Sequence, residues 1–403
     1  MPNTDNKQLK HGKKVLLHIG TGKTGSTSIQ RVLYQNKYNL SGVTYPCIKA
    51  HGLGQHYISL IYQPLNKVSR ADKGKFKTES EFLDYTKELK KQFISLIQDK
   101  DKLLISSEFF EIFNIEELIE FRKTLEQYGY TEFKIVVYIR EPVSYYCSLL
   151  QQQIKASHRI VQPKYKYPFK TLIDMCENVF GNDITVVPFE KKQLYQGDVV
   201  KDFIKHCSDF FGTFLSADKI NYDRANESLS CEATYLVQMY REKFHAKNHN
   251  KSMPDSNHLV NILTKEIPSD GYHNLSLLPH IKKFVCFNHL KDMQWLKNKF
   301  SVTLNKYDYT CDNKGLDEID VNKLKKLEHV TEKVDIKKLY HLAYQVEYYL
   351  NSKKNKHLPI KNIRNLKNDI FRTALEQHSL YAFIKKLLIL YFYLLRIGII
   401  EPD

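Results

Sequence analysis

Several groups of residues in this chain have the types and spacing to act on a phosphorylated ligand. The first is Gly20-Thr21-Gly22-Lys23-Thr24-Gly25-Ser26-Thr27-Ser28. Its glycines let backbone N–H groups approach an anion, and a following helix adds the dipole of its N-terminus. Lys23 supplies a point charge. The hydroxyls of Thr24, Ser26, Thr27 and Ser28 supply further donors. The second is Glu108, at the end of an apolar run, where a carboxylate can serve as a general base. It can equally cap the next helix or pair with Lys23. The third is Arg140 with Ser148 eight residues on. A guanidinium offers a planar fork to phosphate oxygens, and the hydroxyl adds a donor. The fourth is a basic, aromatic stretch with Lys155, His158, Arg159, Lys164, Tyr165, Lys166 and Tyr167. Aromatic faces can stack on sugar rings there and cations can meet acidic groups. A solvated loop with snorkelling side chains is the other reading. His51 and His56, in an irregular stretch, read either as catalytic groups or as loop histidines bonded to backbone.

The pattern of apolar residues says what holds these groups. Val15-Leu16-Leu17 reads as the core of a strand over 13–19, followed by a glycine turn and a helix to about Tyr38 with Ile29, Val32 and Leu33 inward. A helix over 79–99 carries Phe82, Leu89, Phe93, Leu96 and Ile97 at helical spacing. A short strand KLLIS then ends just before Glu108. A helix over 115–128 follows, with Gly129 placed to end it. Residues 133–139 form a near-continuous apolar run, as expected of a parallel strand buried on both faces. That strand ends at Arg140, and Pro142 suits the first turn of the next helix. Further elements are a helix near 169–180, a strand at 184–187 and a helix from about Asp198. Ligands of open parallel sheets bind beyond the carboxyl ends of the strands, which is where the glycine turn, Glu108 and Arg140 fall.

The glycine turn is not the P-loop of nucleoside triphosphatases. Gly20 and Gly25 have the right separation, but Ser26 stands where the lysine belongs, and Lys23 lies inside the loop. A magnesium-dependent enzyme of that kind also wants a strand ending in Asp. The strands before Glu108 and Arg140 do not end so. His18-Ile19-Gly20 followed by Lys23-Thr24-Gly25-Ser26-Thr27-Ser28 instead resembles the 5′-phosphosulfate loop of sulfotransferases, most of all the bacterial and carbohydrate-directed branch. The resemblance covers about 13–300 and includes Pro188-Phe189-Glu190 and Asn226 with Ser228 before a helix. It implies 3′-phosphoadenosine 5′-phosphosulfate (PAPS) as donor, with no metal. Lys23, Thr24, Gly25, Ser26, Thr27 and Ser28 would hold the 5′-phosphosulfate, and Arg140 and Ser148 the 3′-phosphate. Glu108 would take the acceptor's proton, with His56 as the other candidate base. Lys155, His158 and Arg159 would meet the acceptor. A nucleotide-dependent kinase and a non-catalytic glycan- or membrane-binding protein stay open as alternatives.

Composition narrows the class. The 403 residues are 42% apolar and 26% charged, as in a globular protein with a large core. Lys and Arg total 61 against 45 Asp and Glu, a net +16 that suits acidic partners. The lysines are scattered, so nucleic acid is not indicated. Seven cysteines without C-x-x-C spacing predict a reduced chain and no zinc site. The first fourteen residues carry no apolar core of a signal peptide. The expected setting is therefore cytoplasmic, with a glycan or glycolipid acceptor. The last 53 residues hold ten Lys and Arg against four Asp and Glu. Their stretch 379–400 is apolar and aromatic but broken by Lys385, Lys386 and Arg396, which suits the face of an anionic membrane, at the inner leaflet, better than a span. The expected architecture is α/β: a P-loop-like three-layer fold with a mainly parallel sheet flanked by helices. A disordered 1–12 would precede a sulfotransferase domain over 13–315, with 246–280 as an insertion or lid. A helical C-terminal region over 316–403 would follow.

Overall fold

The apolar runs become strands and the periodic segments become helices. The computed structural model describes residues 12–48, 53–68, 70–216, 222, 228–353 and 357–376. In chain order the first elements are β1 (Lys13–His18), α1 (Ser26–Gln35), α2 (Tyr57–Tyr62), the single turn α3 (Arg70–Lys73), α4 (Glu79–Ile97) and β2 (Lys102–Ser106). Then come α5 (Ile115–Gln127), β3 (Tyr130–Ile139), α6 (Pro142–Ala156), α7 (Phe169–Phe180), β4 (Ile184–Pro188) and α8 (Val199–Phe211). The last are α9 (Cys231–His245), α10 (Pro254–Asn261), α11 (Pro279–Phe300), α12 (Ile336–Ser352) and α13 (Ile360–Glu376). They belong to two compact units. One comprises Met1–Tyr145, Lys166–Ala225 and Asn288–Cys311, the other Tyr146–Tyr165, Asn226–Phe287 and Asp312–Asp403.

The first unit is a three-layer α/β fold. Among the described residues its sheet has four strands, all parallel, in the order β2-β1-β3-β4. Val15, Leu16 and Leu17 are fully buried, as are Leu103, Leu104 and Ile105 on one side and Val136, Val137 and Tyr138 on the other. Burial on both faces explains why these strands read as continuous apolar runs. α1 and α8 cover one face, where Ile29, Val32, Leu33, Phe203 and Ile204 pack on Leu16, Leu104 and Val136. α5 and α7 cover the other, with α2 and α4 beside them. β3 starts three residues before the apolar run, because Tyr130 pairs with Lys13 across an irregularity in the ladder. α1 ends at Gln35, short of Tyr38. The Asn36 side chain donates to the Val32 carbonyl (2.8 Å), and Tyr38 is 88% exposed.

The strand order matters for function. β1 connects to β2 on one side, and β3 lies on the other side of β1. The helix after β1 (α1) and that before β4 (α7) cover opposite faces. The strand order thus reverses between β1 and β3, and their carboxyl ends are where ligands of open parallel sheets bind.

The second unit is helical, and the C-terminal helices α12 and α13 pack on each other and on α9. Leu236, Val237, Tyr240 and Arg241 of α9 are buried at its centre. The polar segment 246–280 carries α10 and a wide turn at Ile262–Glu266. It is tied down by Arg241, whose guanidinium donates to the carbonyls of Asn248 (2.8 Å) and Lys251 (3.1 Å). Among the described residues no helix is long and apolar enough to cross a membrane. The first eleven residues, His51, Asn226 and the tail 379–400 lie outside the described residues.

Candidate active site

The glycine loop runs from the end of β1 to Ser26, the first residue of α1. Two of its residues lie in the left-handed region, Lys23 (φ 68°) and Gly25 (φ 84°). Their reversed backbone folds the loop over the start of α1. Hydroxyls then pin it from within. Thr24 is fully buried and donates to the Thr21 carbonyl (2.5 Å). Thr21 donates to the Tyr138 carbonyl (2.7 Å) and meets the Tyr167 hydroxyl. The loop is thus tied to β3, not only to its own helix. Thr27 is exposed and Ser28 half-buried on the first turn of α1. A Cβ at Gly25 would lie 2.8 Å from Val199 Cγ1 at the start of α8. We expect Gly25→Ala to cost roughly 2–4 kcal/mol, from the left-handed φ plus overpacking. Its urea midpoint should fall at unchanged slope.

Carboxylates face this loop. Ser107 follows β2 and caps a tight turn, accepting from the Phe109 N–H (3.2 Å), and that turn is a 3₁₀ helix over Glu108–Ile112. In a 3₁₀ helix residues i and i+3 eclipse, so Glu108 and Glu111 project together. The Gly22 N–H donates to Glu111 Oε1 (3.0 Å). Glu108 Oε2 lies 4.0 Å from where a Gly22 side chain would begin. Burial raises the Glu108 pKa above the ordinary carboxylate range, while the Ser26 hydroxyl and the Lys23 ammonium pull the other way. Burial pushes Glu111 up to about 7. The Gly22 N–H opposes that rise and the charge of Glu108 adds to it. Two adjoining carboxyls in such surroundings titrate in two separated steps.

Arg140 completes the group. It follows the last residue of β3, and its guanidinium donates to the Lys23 carbonyl (3.1 Å). Next to it, the Glu141 carboxylate accepts from the N–H groups of Val143 (2.8 Å) and Ser144 (2.7 Å) and so caps α6. Beneath the loop, His18 is fully buried with Nδ1 against Ser106 Oγ (2.8 Å). Burial pushes its pKa down to about 3, so it stays neutral. His56 stands at the start of α2, its ring 5.8 Å from that of Phe109, the neighbour of Glu108. Burial lowers its pKa too.

The fold therefore brings Lys23, Gly25, Ser26, Glu108 and Arg140 to one edge of the parallel sheet, with His56 one aromatic ring away. Ser148, Lys155, His158 and Arg159 belong to the second unit. Ser148 is half-buried on α6, and Lys155 is in its last turn. His158 packs its ring 4.4 Å from that of His249, and burial with that neighbour lowers its pKa. Arg159 is exposed, its N–H bonded to Ser157 Oγ (3.0 Å). Glu111 is the site residue that motif reasoning missed. Its signal was the spacing of two glutamates three apart in EFFEIF, directly after a strand.

Among the described residues no group of three or more His, Cys, Asp and Glu is placed to hold a metal ion. No family model, curated protein or solved structure matches the chain.

Proposed function

We propose that the protein is a sulfotransferase on a P-loop-like fold, using PAPS to sulfate a hydroxyl or amine of an acceptor. The observation that carries this reading is the meeting of three charged groups at one sheet edge. Lys23 lies in the glycine loop, Glu108 faces that loop, and the Arg140 guanidinium stands 3.1 Å from the Lys23 carbonyl. The residues fit the donor. A loop amide that holds a carboxylate, as Gly22 holds Glu111, is one that can hold a phosphate or sulfate oxygen. The donor supplies a sulfuryl group activated by its phosphate leaving group. Lys23 and the loop amides would offset charge on the bridging oxygen. Arg140 would bind the 3′-phosphate and so distinguish PAPS from ordinary nucleotides. Glu108 would hold the acceptor group and take its proton.

The acceptor we favour is a saccharide, alone or lipid-linked, met at the cytoplasmic face of a membrane. The net +16 charge and the basic, apolar tail support that choice. The deciding experiment is calorimetric titration with 3′-phosphoadenosine 5′-phosphate, set against ATP with magnesium. Tight binding of the bisphosphate and weak binding of ATP is the expected result. Preference for ATP would replace this reading with a kinase. Bisphosphate binding without sulfuryl transfer to any glycan would leave a binding protein on the same fold.

A further inference from the structure

The Gly22 amide already holds an anion, and the anion belongs to the protein. Glu111 Oε1 accepts its N–H at 3.0 Å, from a turn that also brings Glu108 to the same glycine. A backbone N–H is a single donor. A phosphate or sulfate oxygen seated on this loop and the Glu111 carboxylate cannot both take it. Both carboxylates are half-buried, so their charges are poorly screened from a bound anion.

We infer that Glu111 is the resident anion of the glycine loop, and that donor binding requires it to leave the Gly22 N–H and take up one proton from solvent. This rests on the donor-site reading above and specifies how that site opens. The groups facing Glu111 fit the exchange. Glu108 on its own turn repels it, and Lys23 and Ser26 on the loop and α1 act on Glu108. The Tyr167 phenol, near the end of β3, stands close enough to feel its charge, and its own pKa is pushed far up by burial, so it stays protonated. Arg140 interacts with that phenol and with the Lys23 carbonyl. From α2, His56 reaches the turn through Phe109. Lys23 acts on Glu108 and Arg140 on the Lys23 carbonyl, and burial makes Glu111 ready to take up a proton. A protonated carboxyl no longer competes for the amide with an anionic oxygen and no longer repels it. The step moves one proton from solvent to a Glu111 oxygen and changes no covalent bond between heavy atoms. Glu111 thereby acts as a specificity-determining residue for the donor, since an uncharged ligand gains nothing from its departure.

The test is calorimetric binding of 3′-phosphoadenosine 5′-phosphate to wild type and Glu111→Gln, in two buffers of different ionisation enthalpy. The ratio of the two affinities cancels the ligand's own phosphate ionisation. That ratio should move by about 30-fold from about pH 6 to about pH 8.5, for a group titrating near neutrality, with wild type the weaker at high pH. Wild type should also take up close to one more proton per ligand than the variant at the alkaline end. Proton uptake by wild type alone reads the same step, so the proposal does not hang on how the variant folds. Parallel affinity curves with no difference in proton uptake would overturn it while leaving the donor reading intact. Binding of the bisphosphate by neither protein at any pH would overturn the donor reading and this inference together. ATP bound with the same Glu111-dependent slope would keep the resident anion and discard PAPS.

Discussion

Arg140→Ala is expected to weaken binding of 3′-phosphoadenosine 5′-phosphate by roughly 30-fold to several-thousand-fold. Truncating one partner of a desolvated, charge-assisted contact costs about 2–5 kcal/mol, and each 1.4 kcal/mol is about tenfold. The structure gives Arg140 two possible ways to act. Its guanidinium can bind a phosphate directly, or it can act through the loop by holding the Lys23 carbonyl at 3.1 Å. The two predict different results with adenosine 5′-phosphosulfate, which lacks the 3′-phosphate. If Arg140 binds the 3′-phosphate, the substitution should damage bisphosphate binding far more than binding of this shorter ligand. Equal losses would make Arg140 a positioning residue for the loop, because a contact to the 3′-phosphate alone cannot affect a ligand that lacks it. The substitution should cost the folded state only about 1 kcal/mol, since a part-exposed hydrogen bond contributes little net stability. A large loss of binding with only a small drop in the urea midpoint is thus the expected pair of results. Arg140→Lys should recover part of the affinity, as a point charge without the fork.

The sheet and the place of the site were legible in the sequence for one reason. Parallel strands buried on both faces leave runs such as Val15-Leu16-Leu17 and Ile135-Val136-Val137, and their ends mark the ligand edge. Lys23, Glu108 and Arg140 could be placed on that edge from chain position alone. The direction of each side chain could not. Thr24 reads as a ligand donor, yet its hydroxyl turns inward to the Thr21 carbonyl, because the left-handed Lys23 and Gly25 set the path of the loop. Glu111 was missed for a similar reason, with only the three-residue spacing of the two glutamates to hint at it. Its approach to Gly22 depends on a 3₁₀ turn after β2, where residues three apart eclipse, and apolar periodicity carries no trace of that. The division into two units was hidden for another reason. Each unit is assembled from three separate stretches of chain, and such grouping is decided by contacts distant in sequence.

Glu108→Gln should lower turnover by about 10²- to 10⁴-fold, the range associated with a positioned general base. Bisphosphate affinity should change little, or rise, because a negative charge beside the anion site is removed. A carboxylate whose role is to pair with Lys23 would give the opposite split. Its loss would alter donor binding and leave the chemical step nearly intact. The pH profile separates the roles further. Burial raises the Glu108 pKa, with Ser26 and Lys23 only partly restoring it. A base must be ionised, so wild-type turnover should fall as pH drops through that raised value, above the ordinary carboxylate value of about 4.3. The acid limb should vanish in Glu108→Gln. Burial pushes Glu111 up to about 7 and the charge of Glu108 adds to that rise, so the two carboxyls titrate in separate steps. Full turnover in Glu108→Gln would move the proton acceptor elsewhere. His56 is the next group to replace, because its ring reaches the same turn through Phe109 and its lowered pKa keeps it neutral and able to accept a proton.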